Sequence, residues 1–105
     1  MPSLRRLAVL EAPARLPDGA GGFERSWTPL ARHRVALAPA SGAESAEASQ
    51  QASRVTHRLT LRASASLIPR ADQRFRIGAR LFDIRAVFQS GGRGQFLTCL
   101  CEENP

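Results

Sequence analysis

The stretch RVTHRLTLR, residues 54–62, has the clearest secondary-structure pattern in this chain of 105 residues. Successive side chains of a strand point to opposite faces, so a period of two predicts a half-buried strand. One row is apolar apart from a histidine, and the other holds threonines and arginines: Val55, His57, Leu59 and Leu61 against Thr56, Arg58, Thr60 and Arg62. We expect His57 to be a hydrogen-bonded core residue rather than a metal ligand or a base.

Five further strands are predicted on either side of this one, over residues 4–11, 30–38, 74–77, 80–87 and 95–102. Pro13 and Pro17 are expected to end the first, and Gly78-Ala79 to join the fourth and fifth as a hairpin. The last strand is apolar on both faces, which is typical of a central strand. The chain is therefore predicted to be one mainly β domain over residues 1–105, a small antiparallel β-barrel or sandwich of about six strands.

Two polar segments interrupt this pattern. Residues 17–22, PDGAGG, predict a long glycine-rich hairpin loop and lack the Lys-Ser/Thr pair of a phosphate-binding loop. Residues 41–53, SGAESAEASQQAS, predict one short exposed α-helix, with Ser41 and Glu44 forming a capping box. Because this helix has no large apolar residue, it is either ordered by a neighbouring molecule or a solvated connector.

The basic residues number 15, all arginine, and the formal net charge is +6. Such an excess favours contact with DNA or with acidic protein surfaces, although an all-arginine set is also expected from a GC-rich genome. The arginines form no run of five or more, which argues against a disordered nucleic-acid-binding tail. Cys99 and Cys101 lie about 6.6–7 Å apart on one strand face, too far for a disulfide, so we expect buried thiols. The weaker alternative is a metal site, which would require His33 or His57 to converge on them.

The sequence carries no pattern typical of an enzyme. No nucleophile with a base, carboxylate pair or metal-ligand spacing is visible, and we expect no catalytic, cofactor-binding or metal-binding residues. No apolar stretch approaches the roughly 20 residues that span a bilayer, and the N-terminus lacks the apolar run of a signal peptide. These features predict a protein that is made and kept in a cytoplasm-like compartment, with no membrane partner.

Several segments, in a fixed order over most of the chain, resemble the phage head–tail joining family, also described as head-closure or stopper proteins. Gene transfer agents of GC-rich bacteria use the same kind of connector. The segments that carry the resemblance are Leu4-Arg5-Arg6-Leu7, Asp18-Gly19 to Trp27, Val35-Ala36-Leu37-Ala38-Pro39, Ser41-Gly42-Ala43-Glu44, Gln50-Gln51, residues 56–62, Arg74-Phe75-Arg76-Ile77, residues 80–84 and residues 97–103.

The resemblance implies a small β-barrel that assembles as a homo-oligomeric ring. Portal and adaptor proteins would lie above the ring, and tail terminator or other tail proteins below it. Such a ring closes the DNA exit channel, docks the tail and contacts packaged DNA without reading its sequence. The protein would be assembled in the bacterial cytoplasm and reside in a virion or phage-like particle.

The candidate interaction residues fall into two groups. Polarity and glycine content predict contacts with neighbouring subunits at Asp18, Gly19, Gly22, Phe23, Glu44, Glu47, Gln50 and Gln51. Four arginines at outward strand positions are expected to face a partner or, as the resemblance implies, the DNA channel: Arg32, Arg34, Arg58 and Arg62. The alternative function is a small nucleic-acid-binding barrel resembling an OB-fold, with Phe75 or Phe82 as stacking platforms. We prefer to place those two phenylalanines in the core.

Overall fold

Six strands make up the regular structure in the computed structural model, which describes residues 3–40, 54–63 and 68–104. The strands are β1 Arg6–Pro17, β2 Phe23–Pro39, β3 His57–Arg62, β4 Arg74–Ile77, β5 Arg80–Ser90 and β6 Phe96–Asn104. The predicted helix over residues 41–53 lies outside the described ranges. Within those ranges, no helix is long and apolar enough to span a bilayer.

All six strands belong to one antiparallel sheet that closes on itself in the order β1-β2-β3-β6-β5-β4. The closing contact is short, because β4 pairs with β1 only at Val9–Glu11. The β4–β5 hairpin turns at Gly78-Ala79 as predicted, with Gly78 at a φ of 59°. This arrangement confirms the prediction of a small, mainly β, antiparallel fold.

The interior of the closed sheet is a single apolar cluster. Its fully buried side chains come from all six strands: Phe75, Phe82, Leu10, Leu59, Leu61, Ile84, Val35, Cys99 and Cys101. Burial raises the pKa of the Cys99 thiol to about 12, and it also raises the pKa of Cys101. Both cysteines therefore pack as neutral small hydrophobes, as the sequence predicts.

The alternation predicted for residues 54–62 is confirmed at three of the four positions expected to face inward. Leu59 and Leu61 enter the core, and the His57 ring packs edge-on against Phe82 with 5.3 Å between ring centroids. His57 Nδ1 also lies 3.0 Å from the Thr56 hydroxyl oxygen. The prediction for Val55 is wrong. Val55 precedes the first β3 residue, so the alternation does not extend to it, and it packs in a second cluster with Leu100.

The first two strands are longer than predicted. Pro13 does not end β1, which continues to Pro17, and β2 begins at Phe23 instead of at residue 30. The expectation that Pro17 ends the strand is confirmed. A proline is tolerated in a strand with a free edge, because its missing N–H then costs no ladder hydrogen bond. The predicted long glycine-rich loop is consequently a short turn over residues 18–22.

Candidate functional site

The distal part of the β1–β2 hairpin extends beyond the closed sheet. We call residues 12–17 and 23–28 the arm. Within the described residues they pair only with each other, because β4 reaches β1 at Val9–Glu11 and β3 reaches β2 at Ala36–Pro39. Six residues of strand span about 20 Å, and the molecule measures 51 × 30 × 23 Å along its principal axes. An isolated two-stranded ribbon is marginally stable in water, so the arm needs support.

The support at the base of the arm is the carboxylate of Glu11, a residue only 6% exposed. Arg74 Nε donates to Glu11 Oε1 at 2.8 Å, and Arg76 Nε donates to Oε2 at 3.1 Å. The Arg74 guanidinium also lies over the Trp27 ring, 4.1 Å from its centroid. Arg74 thus connects the body of the protein to the arm through one ion pair and one cation–π contact.

The ionised form of Glu11 is favoured at the base of the arm, although the residue is buried. Burial by itself raises the pKa of the Glu11 carboxyl. The hydrogen bonds and positive charges of Arg74 and Arg76 outweigh that effect, so the pKa lies below its ordinary value. Glu11 therefore stays ionised at neutral pH and holds both arginines.

The two faces of the arm differ in chemistry. One face alternates cations with aromatic and proline rings: Arg15 lies 4.5 Å from the Phe23 centroid and Arg25 lies 5.9 Å from that of Trp27. The opposite face carries small side chains at the base of the arm, because the register pairs Ala12 with Thr28 and Ala14 with Ser26, and Leu16 with Glu24 near the tip. The cation–aromatic face can stack on a partner or accept carboxylates, whereas the small-residue face permits close backbone approach.

The turn at the tip is organised by Asp18. Its Oδ1 accepts hydrogen bonds from the backbone N–H groups of Ala20 and Gly22 at 2.8 and 3.0 Å. These bonds hold the pKa of the Asp18 carboxyl below its usual range. A Cβ at Gly22 would lie 2.8 Å from Asp18 Oδ2, so a larger residue there would force the Asp18 side chain to shift. Gly19 has a φ of 81°, which also favours glycine.

Two large apolar side chains are exposed next to this turn. Phe23 is 60% exposed and Leu16 is 51% exposed. The register places them on opposite faces, because Leu16 pairs with Glu24 and Phe23 pairs with Pro17. Single exposed apolar residues are common on proteins, but two at one projecting tip mark a candidate contact with another molecule.

The four predicted arginines form a second candidate surface. Val35 and Leu37 of β2 and Leu59 and Leu61 of β3 point to the core, so the residues between them point outward. The β2–β3 register pairs Ala38 with Arg58 and Ala36 with Thr60. Arg32, Arg34, Arg58 and Arg62 therefore share one outer face; Arg58 is half-buried and the other three are exposed.

Comparisons with known proteins agree with this architecture. The model of the phage head completion protein family matches residues 1–104 of the chain. The chain belongs to this family. A chain in the solved structure of the virion of a native gene transfer agent particle is 31% identical, with a TM-score of 0.66, covering 99% of this chain and 98% of that one. No curated protein matches significantly.

A second solved structure has the same fold as this head completion protein. It is the solution structure of protein SF1141 from Shigella flexneri 2a, with a TM-score of 0.71 and 18% identity. The match covers 96% of this chain and 93% of that one. The family recognition made from the sequence is confirmed, and with it a structural role in head completion.

The structure places some of the predicted site residues together and leaves others outside its description. Asp18, Gly19, Gly22 and Phe23 meet at the tip of the arm. The candidates Glu44, Glu47, Gln50 and Gln51 lie outside the described residues. In the portion of this head completion protein that is described, no group of three His, Cys, Asp or Glu side chains could hold a metal ion.

Sequence reasoning missed the base of the arm. The local pattern places Glu11 at the end of a predicted strand. It places Arg74 and Arg76 two residues apart in a different, short strand, and nothing in it connects them to Glu11. The available signal was a single carboxylate following the apolar run of residues 7–10, since a charge in such a position is rarely buried unless it is paired.

Proposed function

We propose that this chain is a head–tail connector that forms a homo-oligomeric ring between the portal or adaptor and the tail. The ring closes the DNA exit channel after packaging and presents the surface on which the tail docks. Membership of the phage head completion protein family supports this proposal. So does the 31% identity, over 99% of this chain, to a chain of a gene transfer agent virion.

The observation that carries the proposal is the arm. A ring requires a heterologous contact, in which one patch of each subunit binds a different patch of the next. The arm is suited to such a contact because it projects about 20 Å and exposes Leu16 and Phe23 at its tip. We therefore assign the arm to the interface with the adjacent copy.

The arm is also prepared for binding before a partner arrives. The Glu11–Arg74 ion pair and the stacking of Arg74 on Trp27 fix its base, and the Asp18 hydrogen bonds fix its tip. A segment that is already ordered loses less conformational entropy on binding, which leaves more of the contact energy for affinity. A rigid arm therefore favours assembly at low subunit concentration.

The alternative function, a nucleic-acid-binding barrel with stacking phenylalanines, is not supported by the structure. Phe75 and Phe82 are both 0% exposed and form part of the core. A base cannot stack on either ring without opening the interior. The preference for core positions is confirmed, and we do not propose this alternative.

The test is complementation of cells in which the gene has been deleted. The double variant Leu16→Ser with Phe23→Ser is expected to keep the circular dichroism spectrum of the wild type, because both side chains are exposed. It is expected to yield DNA-filled heads without tails, counted by electron microscopy. The matched control is Ile68→Ser, which removes an apolar side chain that is 59% exposed but lies outside the arm.

Two further outcomes make the test decisive. The conservative variant Phe23→Leu keeps both apolar side chains at the tip and is expected to join tails as the wild type does. If the folded double variant gives tailed, DNA-filled particles in normal numbers, the arm does not carry the connector interface and the proposal fails.

A further inference from the structure

Among the described residues, the ion pairs between arginines and carboxylates are concentrated on one side of this protein. In the described ranges, every ion pair between an arginine and a carboxylate uses an arginine of β4 or β5. Glu11 binds Arg74 and Arg76, Glu103 binds Arg80, and Glu102 binds Arg85 at 2.8 Å. The carboxylates thus neutralise the β4–β5 side of the molecule.

The outer face of β2 and β3 carries three exposed arginines besides the half-buried Arg58. Arg32, Arg34 and Arg62 form no ion pair with any residue that the structure describes, and Arg34 Nη1 donates only to the Arg5 carbonyl at 3.4 Å. The formal net charge of +6 is therefore partly concentrated here. Arg58 shares this face and is half-buried, and the inference rests on the other three arginines.

The strand geometry arranges these arginines as a compact group. Arg32 and Arg34 are two residues apart on one strand, a separation of about 6.6–7 Å. Arg34 lies two residues before Ala36 and Arg62 two residues after its partner Thr60. Both therefore fall on the same outer face at neighbouring positions of adjacent strands. Guanidinium groups bind phosphate oxygens in bidentate geometry, so this spacing suits a charged backbone.

We propose that the β2–β3 outer face, through Arg32, Arg34 and Arg62, binds the phosphate backbone of duplex DNA without reading its sequence. The inference rests on the proposed connector function and deepens it, since it turns this face toward DNA in the channel. An acidic protein fits less well. The centre of a protein interface is enriched in aromatic side chains, whereas the residues that flank these arginines on the same face are Ala36, Ala38 and Thr60. Protein–DNA interfaces are strongly positive.

The test is a salt titration with the full-length protein. Binding to a fluorescein-labelled duplex of arbitrary sequence is measured by anisotropy from low to physiological salt. The triple variant Arg32→Gln, Arg34→Gln and Arg62→Gln is expected to flatten the slope of log K against log salt by about 2.7, which is about 0.9 for each phosphate that is no longer neutralised. The matched control replaces three exposed arginines outside the face, Arg54, Arg70 and Arg93, by glutamine and is expected to change the slope by less than about 1.

Several results would overturn the inference. They are a wild-type protein that does not bind duplex DNA even at low salt, a control variant that weakens binding as much as the face variant, and a preference for single strands. Tighter binding of polyglutamate than of DNA, abolished by the face variant, would assign the surface to an acidic protein instead. A face variant whose salt slope flattens by about 2.7 supports the inference.

The two proposals fail independently. If the arm variant blocks tail joining while the face variant binds DNA like the wild type, only the DNA-binding inference is wrong. If the face variant no longer binds DNA while the arm variant assembles normally, the assignment of the arm to the connector interface is wrong. DNA binding by the β2–β3 outer face then stands as a property of the isolated chain.

Discussion

Replacing Glu11 with glutamine tests the support of the arm. The substitution keeps the shape of the side chain but removes the charge that binds Arg74 and Arg76. A hydrogen bond to a charged group contributes about 1.5–3 kcal/mol. The Arg76 side chain is 43% exposed and its pair is screened by water, and glutamine retains one acceptor oxygen. We therefore expect Glu11→Gln to lower the free energy of unfolding by about 2 kcal/mol, roughly one strong charged hydrogen bond.

The measurement is urea denaturation followed by circular dichroism and by the fluorescence of Trp27, which contacts Arg74. A loss of about 2 kcal/mol in a domain of this size corresponds to a melting temperature lower by about 8–16 °C. The matched control is Glu24→Gln. Glu24 is an exposed arm residue with no ion pair in the described part of the chain, so its effect is expected within about 0.5 kcal/mol.

A double-mutant cycle separates the ion pair from other effects. Arg74→Gln combined with Glu11→Gln is expected to cost less than the sum of the single changes, because both remove the same ion pair. If Glu11→Gln changes the free energy of unfolding no more than Glu24→Gln does, Glu11 does not support the arm and the reasoning is refuted.

Four further predictions concern acid stability, the core, a turn and the thiols. The pKa of Glu11 lies below its unfolded value of 4.5. The stability that ionised Glu11 gives the fold is therefore complete above that pH and is lost as the pH falls through the folded pKa. Urea midpoints measured from pH 7 to 3 should drop more in the wild type than in Glu11→Gln. Phe82→Ala should cost about 3–5 kcal/mol by calorimetry, and a smaller loss would place the ring outside the core. Gly78→Ala, at a φ of 59° with open space around it, should cost about 1 kcal/mol from backbone strain alone, measured by urea denaturation. Cys99 and Cys101 should react with a thiol reagent only after unfolding, because both are buried; rapid labelling of the native protein would contradict this.

The central and C-terminal strands could be predicted from local sequence. The alternation of residues 57–62, the Gly78-Ala79 turn and the two apolar faces of β6 are local signals, and the structure confirms each. Such signals are reliable because side-chain direction in a strand depends only on the order of residues.

The arm and its base could not be predicted in the same way. Proline normally ends a strand, and only the free edges of a two-stranded ribbon permit β1 to continue through Pro13. The contact of Glu11 with Arg74 joins residues 63 positions apart and depends on the register of β1 against β4. Nothing local in the sequence specifies that register.

The functional assignment depends most on where the arm lies in an assembled particle. A cryo-electron microscopy map of the head–tail junction of particles containing this chain would show it directly. We predict a ring in which Leu16 and Phe23 of each copy are covered by the adjacent subunit. A junction in which the arm points into solvent, or in which the chain is present without contacts between copies, would contradict the proposal.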